Sequence, residues 1–248
     1  MRIATLLLGL LLLAVPSSAE NAQHFKNGSP VVLQPEMAYL LYRSVVHEDW
    51  INPVERTLLI RVLTPDELSE IQAPHDKNYA FKTRPNLIVL VGNDAYAKSG
   101  TEWTYVAAVP PGAYILAGPP LLCMGTVQFE ARAGVITDLG YILKTRSNGP
   151  TEIPELKPYA PAKHRVYFNP LLYAVRPYAD GMFIPAALAN LPRVSADYRA
   201  VDRFPNYLHF FIGRLAPVPG VLDYDAEGNV VDLKANKSAA QAMPVSSR

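Results

Sequence analysis

From Val31 to about Leu143 the apolar positions follow the period of β-strands. Val54 to Leu63 alternates: Val54, Arg56, Leu58, Ile60 and Val62 share one side, with Glu55, Thr57, Leu59 and Arg61 on the other. Met37 to Val46 is apolar on both sides, and its Tyr and Val content favours a buried strand over a helix. The densest signal runs from Trp103 to Leu143. A strand at Trp103–Val109 meets Pro110-Pro111-Gly112-Ala113, the residues of a type II turn, and Tyr114–Ala117 is expected to return as the paired strand. A third strand, Met124 to Ala131, turns at Ala133-Gly134 into a fourth, Val135 to Leu143, where Gly140 marks a bulge. One helix is predicted in this region. Thr64 caps it, Pro65 opens it and Glu67 completes a capping box, with Asp66, Glu67 and Glu70 matched to the helix dipole rather than to a metal.

Beyond Lys144 the pattern loses its period. Residues 150–219 interleave prolines with Tyr159, Tyr167, Tyr173, Tyr178, Tyr198 and Tyr207, too aromatic a mixture for a disordered linker. The segment is expected to lie irregularly over the sandwich, with short helices at Pro185–Asn190 and, capped by Ser195, at Ala196–Arg203. Tyr207 to Ile212 reads as a strand. Val221–Tyr224 and Val230–Leu233 read as a hairpin turning at Glu227-Gly228-Asn229. The expected organisation is therefore a leader at 1–19, a flexible lead-in at 20–30, a β-sandwich at 31–143, a Pro/Tyr-rich extension at 144–233 and a disordered tail at 234–248. The fold class is mainly β: an antiparallel sandwich of transthyretin or immunoglobulin type, with one short helix and that extension.

The leader supplies an address. Arg2 precedes an apolar run, Leu6 to Val15, which is about half of the ~20 residues needed to span a bilayer. Pro16 ends the run, and Ser17-Ser18-Ala19 places small residues at a signal peptidase site, so cleavage is expected after Ala19. No cysteine follows the run to carry a lipid anchor, and no later stretch approaches ~18 apolar residues. A periplasmic or secreted chain without a transmembrane segment is the expectation.

Loss of Arg2 from the 23 Lys and Arg leaves them level with the 22 Asp and Glu. A mature chain of zero formal charge lacks the basic excess that nucleic-acid binding requires. Cys123 is the single cysteine, so no internal disulfide forms; within Leu121-Leu122-Cys123-Met124 it reads as a small buried hydrophobe rather than a nucleophile.

Reaction chemistry is sparse. Asp223-Tyr224-Asp225-Ala226-Glu227-Gly228 starts like a calcium loop, but position 12 is Lys234, where a bidentate carboxylate is required, so the hairpin is favoured. His47-Glu48-Asp49 and His75-Asp76 read as solvated loops, and His164 and His209 as ordinary histidines beside aromatic segments. There is no G-x-S-x-G elbow, S-x-x-K, P-loop or dinucleotide fingerprint. No catalytic residue, cofactor or metal site is therefore assigned. Tyrosines with Arg165, Arg176, Arg193 and Arg199 offer a carbohydrate- or peptide-contacting face, against the plainer reading that the rings cover the sandwich while the arginines snorkel.

Val109-Pro110-Pro111-Gly112-Ala113-Tyr114, followed by Phe129-x-x-Arg132-Ala133-Gly134-x-x-x-Asp138-Leu139-Gly140, resembles a group of small exported bacterial proteins with a transthyretin-like sandwich. The resemblance covers roughly residues 31–143 and rests on turn signals. It implies the sandwich fold, and the group has no established catalytic residues to carry over. The expected function is a non-enzymatic accessory or binding module for an envelope protein or polysaccharide. The alternative is an envelope hydrolase with a spatially assembled carboxylate site, for which Asp138 and Asp180 are nominal candidates. A weaker third reading is a calcium-stabilised adhesion module using Asp223 and Asp225.

Overall fold

The computed structural model describes residues 22–45, 57–62, 87–90, 95–117, 125–144, 151–159, 171–202 and 214–235. The leader, the Thr64 helix, the histidines at 47, 75, 164 and 209, Cys123, the 207–212 strand and the tail from 236 lie outside them. In chain order the strands are β1 (Gln23–Phe25), β2 (Ala38–Val45), β3 (Thr57–Arg61), β4 (Leu87–Leu90), β5 (Ala97–Ser99), β6 (Glu102–Val109), β7 (Gly112–Leu116) and β8 (Thr126–Ala131). They continue as β9 (Ile136–Lys144), β10 (Leu171–Arg176), β11 (Arg193–Ser195), β12 (Arg199–Val201), β13 (Arg214–Leu215), β14 (Leu222–Tyr224) and β15 (Val230–Asp232).

Two sheets form a mainly β, sandwich-like fold. The large sheet has the order β1-β6-β2-β9-β10-β13, with β5 on β6 and β11 on β9; the small one runs β12-β8-β7-β3-β4. Alternation along each strand decides what lies between them. Leu40 and Tyr42 of β2, Tyr105 and Ala107 of β6, and Leu139 and Ile142 of β9 meet Leu59, Tyr114, Leu116, Val127 and Phe129 of the small sheet in one buried cluster. Tyr42 and Tyr105 stack at 5.0 Å, and Phe129 meets the edge of Tyr198 at 5.8 Å. Removing a ring of this size from water stabilises by about 1.5–3 kcal/mol.

One half of the other face of β2, β6 and β9 is also apolar, because it is covered. Tyr39, Leu41, Val106, Ala108 and Ile136 pack beneath Val31, Leu33, Ile184, Leu188 and Leu191. Strands buried on both sides read as continuous apolar runs, which is why Met37–Val46 shows no alternation.

The expected hairpin at Pro110-Pro111-Gly112-Ala113 needs correction. β6 pairs with β1, β2 and β5, whereas β7 pairs with β3 and β8, so the turn is a corner between sheets. Gly112 takes φ +142, which an L side chain rarely adopts. The buried Tyr114 hydroxyl donates to the Pro110 carbonyl across this corner, fixing the angle of entry. Ala133-Gly134 is a second corner, carrying the chain back into the large sheet, with the Gly134 N–H donating to Met37 O at 2.8 Å. In β3 the buried side is that of Thr57 and Leu59, while Val62 is 42% exposed.

The helix expected at Ala196–Arg203 is also corrected: Ser195 ends β11 and residues 199–201 form β12. Pairing prevails over the cap signal because β11 docks parallel on β9 and the Tyr198 hydroxyl donates to Leu139 O at 2.8 Å inside the core. The helical turn at Pro185–Asn190 is present as a 3-10 turn, Ala186–Leu188. Of the residues beyond 144, β10, β11 and β13 join the large sheet and β12 the small one, while 177–192 crosses the outer face irregularly. Gln23–Phe25, within the expected lead-in, pair with β6.

Candidate functional site

β2 carries one charged side chain, Arg43, in a mostly apolar run, and β9 carries Asp138 within its buried stretch, apart from Lys144 at its end. Both lie on the covered outer face with no exposed side-chain surface. Arg43 Nη1 donates to Asp138 Oδ1 at 2.7 Å and Nη2 to Oδ2 at 3.0 Å, a bidentate pair between residues 95 apart. A buried charge is tolerated only when paired and hydrogen-bonded, and here the pairing continues: the Gly140 N–H donates to Oδ1 at 3.0 Å.

Gly140 makes this geometry possible. Leu41 pairs with Asp138 and Arg43 with Tyr141, so two residues of β2 oppose three of β9. That is a bulge, and Gly140 sits in it at φ +70. The extra residue puts both Asp138 and Tyr141 on the outer face. It also brings β9 against the end of β10: a Cβ at Gly140 would overlap the Arg176 carbonyl oxygen.

Around the pair other charges alternate. Arg193 Nε lies 3.8 Å from Asp138 Oδ2, and the Tyr178 ring lies 5.8 Å from the Arg43 guanidinium and 5.6 Å from that of Arg193. Arg43 Nε donates to the Phe183 carbonyl at 2.8 Å and stands 4.0 Å from Glu102 Oε1. Glu102 hydrogen-bonds the Tyr141 hydroxyl; burial, with that bond and the nearby carboxylate, pushes the Tyr141 pKa up to about 12. Arg176 stacks at 5.4 Å on Tyr141 and holds Glu155 through Nε at 2.6 Å and Nη2 at 3.0 Å, which raises its pKa. Glu102 Oε1, Thr104 Oγ1 and Arg193 Nη1 are buried without a hydrogen-bond partner among the described residues.

The sequence candidates are distributed differently. Asp138 is locked in the pair, and Asp180 is exposed on the crossing segment. Arg176 and Arg193 join the outer network, whereas Arg199 bonds Asp197 at the surface. Tyr173 and Tyr198 are buried in the interior, so those rings fill the sandwich rather than cover it; burial raises the pKa of both. Arg165, Tyr167 and Tyr207 lie outside the described residues. Asp223 and Asp225 sit on the predicted hairpin, β14–β15. Asp225 accepts from Asn229 N at 2.7 Å and Nδ2 at 2.9 Å, bonds that hold its pKa low. Among the described residues no three His, Cys, Asp or Glu side chains group to hold a metal. No helix among them is long and apolar enough to cross a membrane.

Arg43, Glu102 and Thr104 were not candidates from sequence. The signal was present for Arg43 alone, as a single charge in a strand apolar on both faces. Comparison with protein-family models, with curated proteins and with solved structures finds no match.

Proposed function

We propose that this chain is an exported, non-enzymatic β-sandwich protein that acts as an accessory or binding module at the bacterial cell envelope. The leader at residues 1–19 and the level charge of the chain that follows it support the address and argue against a nucleic-acid partner. The observation that carries the reading is the commitment of Asp138. Both its oxygens accept from Arg43 and one also from Gly140, so it is a structural counter-ion. A general acid or base instead needs a carboxyl group within reach of substrate and able to exchange its proton. That lowers the hydrolase alternative, for which Asp138 was a nominal candidate.

In-cell cross-linking of the full chain tests the proposal, followed by turnover assays on an envelope-hydrolase substrate panel. Recovery of cross-linked envelope protein or polysaccharide, with no turnover, is the expected result. Turnover abolished by substituting a single acid, with nothing cross-linked, overturns it.

A further inference from the structure

We infer that Arg43, Glu102 and Thr104 form a gated subsite for a neutral, hydroxyl-rich ligand, a saccharide, with the Phe183 carbonyl as its placeholder. The inference rests on the proposed binding function and names its ligand class. Glu102 and Thr104 lie two residues apart on the outer face of β6, and Thr104 stands directly across from Arg43. Glu102 Oε1 and Thr104 Oγ1 are buried and unpartnered among the described residues, a costly state for two polar atoms beside one guanidinium. Arg43 Nε and Glu102 Oε1 are 4.0 Å apart. A hydroxyl oxygen about 2.8 Å from each accepts from the first and donates to the second, which a carbonyl cannot do.

Charge selects the ligand. Arg43, Arg176 and Arg193 are balanced by Glu102, Asp138 and Glu155 within this network. A charged ligand breaks that balance in a water-poor setting, and a polyol does not. Access requires the crossing segment to lift around Phe183. It leaves after β10 and returns as β11, and both strands keep their pairing with β9, so the cost is local: the Arg43 bond to Phe183 and part of the packing of Ile184 on the outer face. Phe183 is 37% exposed, a ring at the surface for a sugar face.

The test is calorimetric titration of the full chain with chitotetraose and maltotetraose, and with tetragalacturonate as the anionic comparison. Hydrogen exchange at 182–184 is followed in parallel. A neutral tetrasaccharide should saturate with Kd of about 1 mM or tighter and speed exchange at 182–184. Glu102→Gln, nearly isosteric, should weaken binding about tenfold, the loss of one hydrogen bond to a charged group. Thr104→Val serves if that variant unfolds, and Asp225→Asn, on the remote hairpin, should bind as the parent does. Failure of both neutral sugars to saturate, preference for tetragalacturonate, or full affinity in folded Glu102→Gln overturns the inference. Envelope partners still captured by cross-linking would then leave the proposed function standing; loss of both results removes both.

Discussion

Replacing Asp138 by Asn removes a charge and almost no volume, and its cost follows from the geometry. The carboxylate is fully buried and takes two N–H groups of Arg43 and one of Gly140. The Asn oxygen can still accept from Gly140, but its amide presents N–H groups to a guanidinium that also donates. Arg43 is left as a buried cation facing Glu102 Oε1 at 4.0 Å, too far for a hydrogen bond. Breaking a buried pair from one side costs about 3–5 kcal/mol, a large part of the ~5–15 kcal/mol that separates folded from unfolded domains. For a chain of this size that lowers Tm by roughly 10 °C. Urea unfolding followed by tryptophan fluorescence measures it, with the slope checked for constancy. The double variant Arg43→Met with Asp138→Leu should regain most of the loss, because it removes both desolvated charges. A loss below ~1 kcal/mol in Asp138→Asn, or a double variant as unstable as the summed singles, refutes the assignment of Arg43–Asp138 as the buried electrostatic centre.

Gly140→Ala should cost more than the ~1 kcal/mol of a left-handed residue, because the new Cβ overlaps the Arg176 carbonyl; equal urea midpoints for variant and parent would contradict this. Tyr114→Phe leaves the corner without its hydrogen bond to Pro110 and should lose about 1 kcal/mol in the same assay. The buried tyrosines give a pH dependence of definite sign. Tyr141 is raised to about 12, with Tyr42, Tyr105, Tyr173 and Tyr198 raised too, so the unfolded chain releases these protons first as pH rises. Their contribution is complete below pH ~10 and falls as pH climbs through 12, by up to about 1.4 kcal/mol per pH unit for each fully buried ring. Urea midpoints that stay flat from pH 9.5 to about 11.5 would contradict it.

Elements held by local chemistry were readable from residues alone. β2 and β6 follow from β-prone runs rich in Tyr and Val, the Gly140 bulge from a glycine inside a strand, and the β14–β15 hairpin from its turn residues. Errors arose where a distant partner decides. Pro110-Pro111-Gly112 announces a reversal, but its residues do not encode whether the next strand joins the same sheet or the opposite one. Ser195 has the chemistry of a helix cap, yet β9 was waiting for a parallel neighbour and the core for the Tyr198 ring. Neither partner is near in sequence. The candidate site is the extreme case, since Arg43 and Asp138 come together only through a parallel pairing of strands 95 residues apart. Each is a charge inside a buried stretch of strand, and neither residue's neighbours name the other. Glu102 and Thr104 carried no signal, because their interest lies in the bonds they do not make.

Native mass spectrometry of the protein taken gently from its own envelope fraction bears most directly on the central claim of an exported binding module. The prediction is a chain beginning at Glu20 that carries a protein or saccharide partner. A chain beginning at Met1, recovered from the cytoplasm with nothing bound, would contradict it.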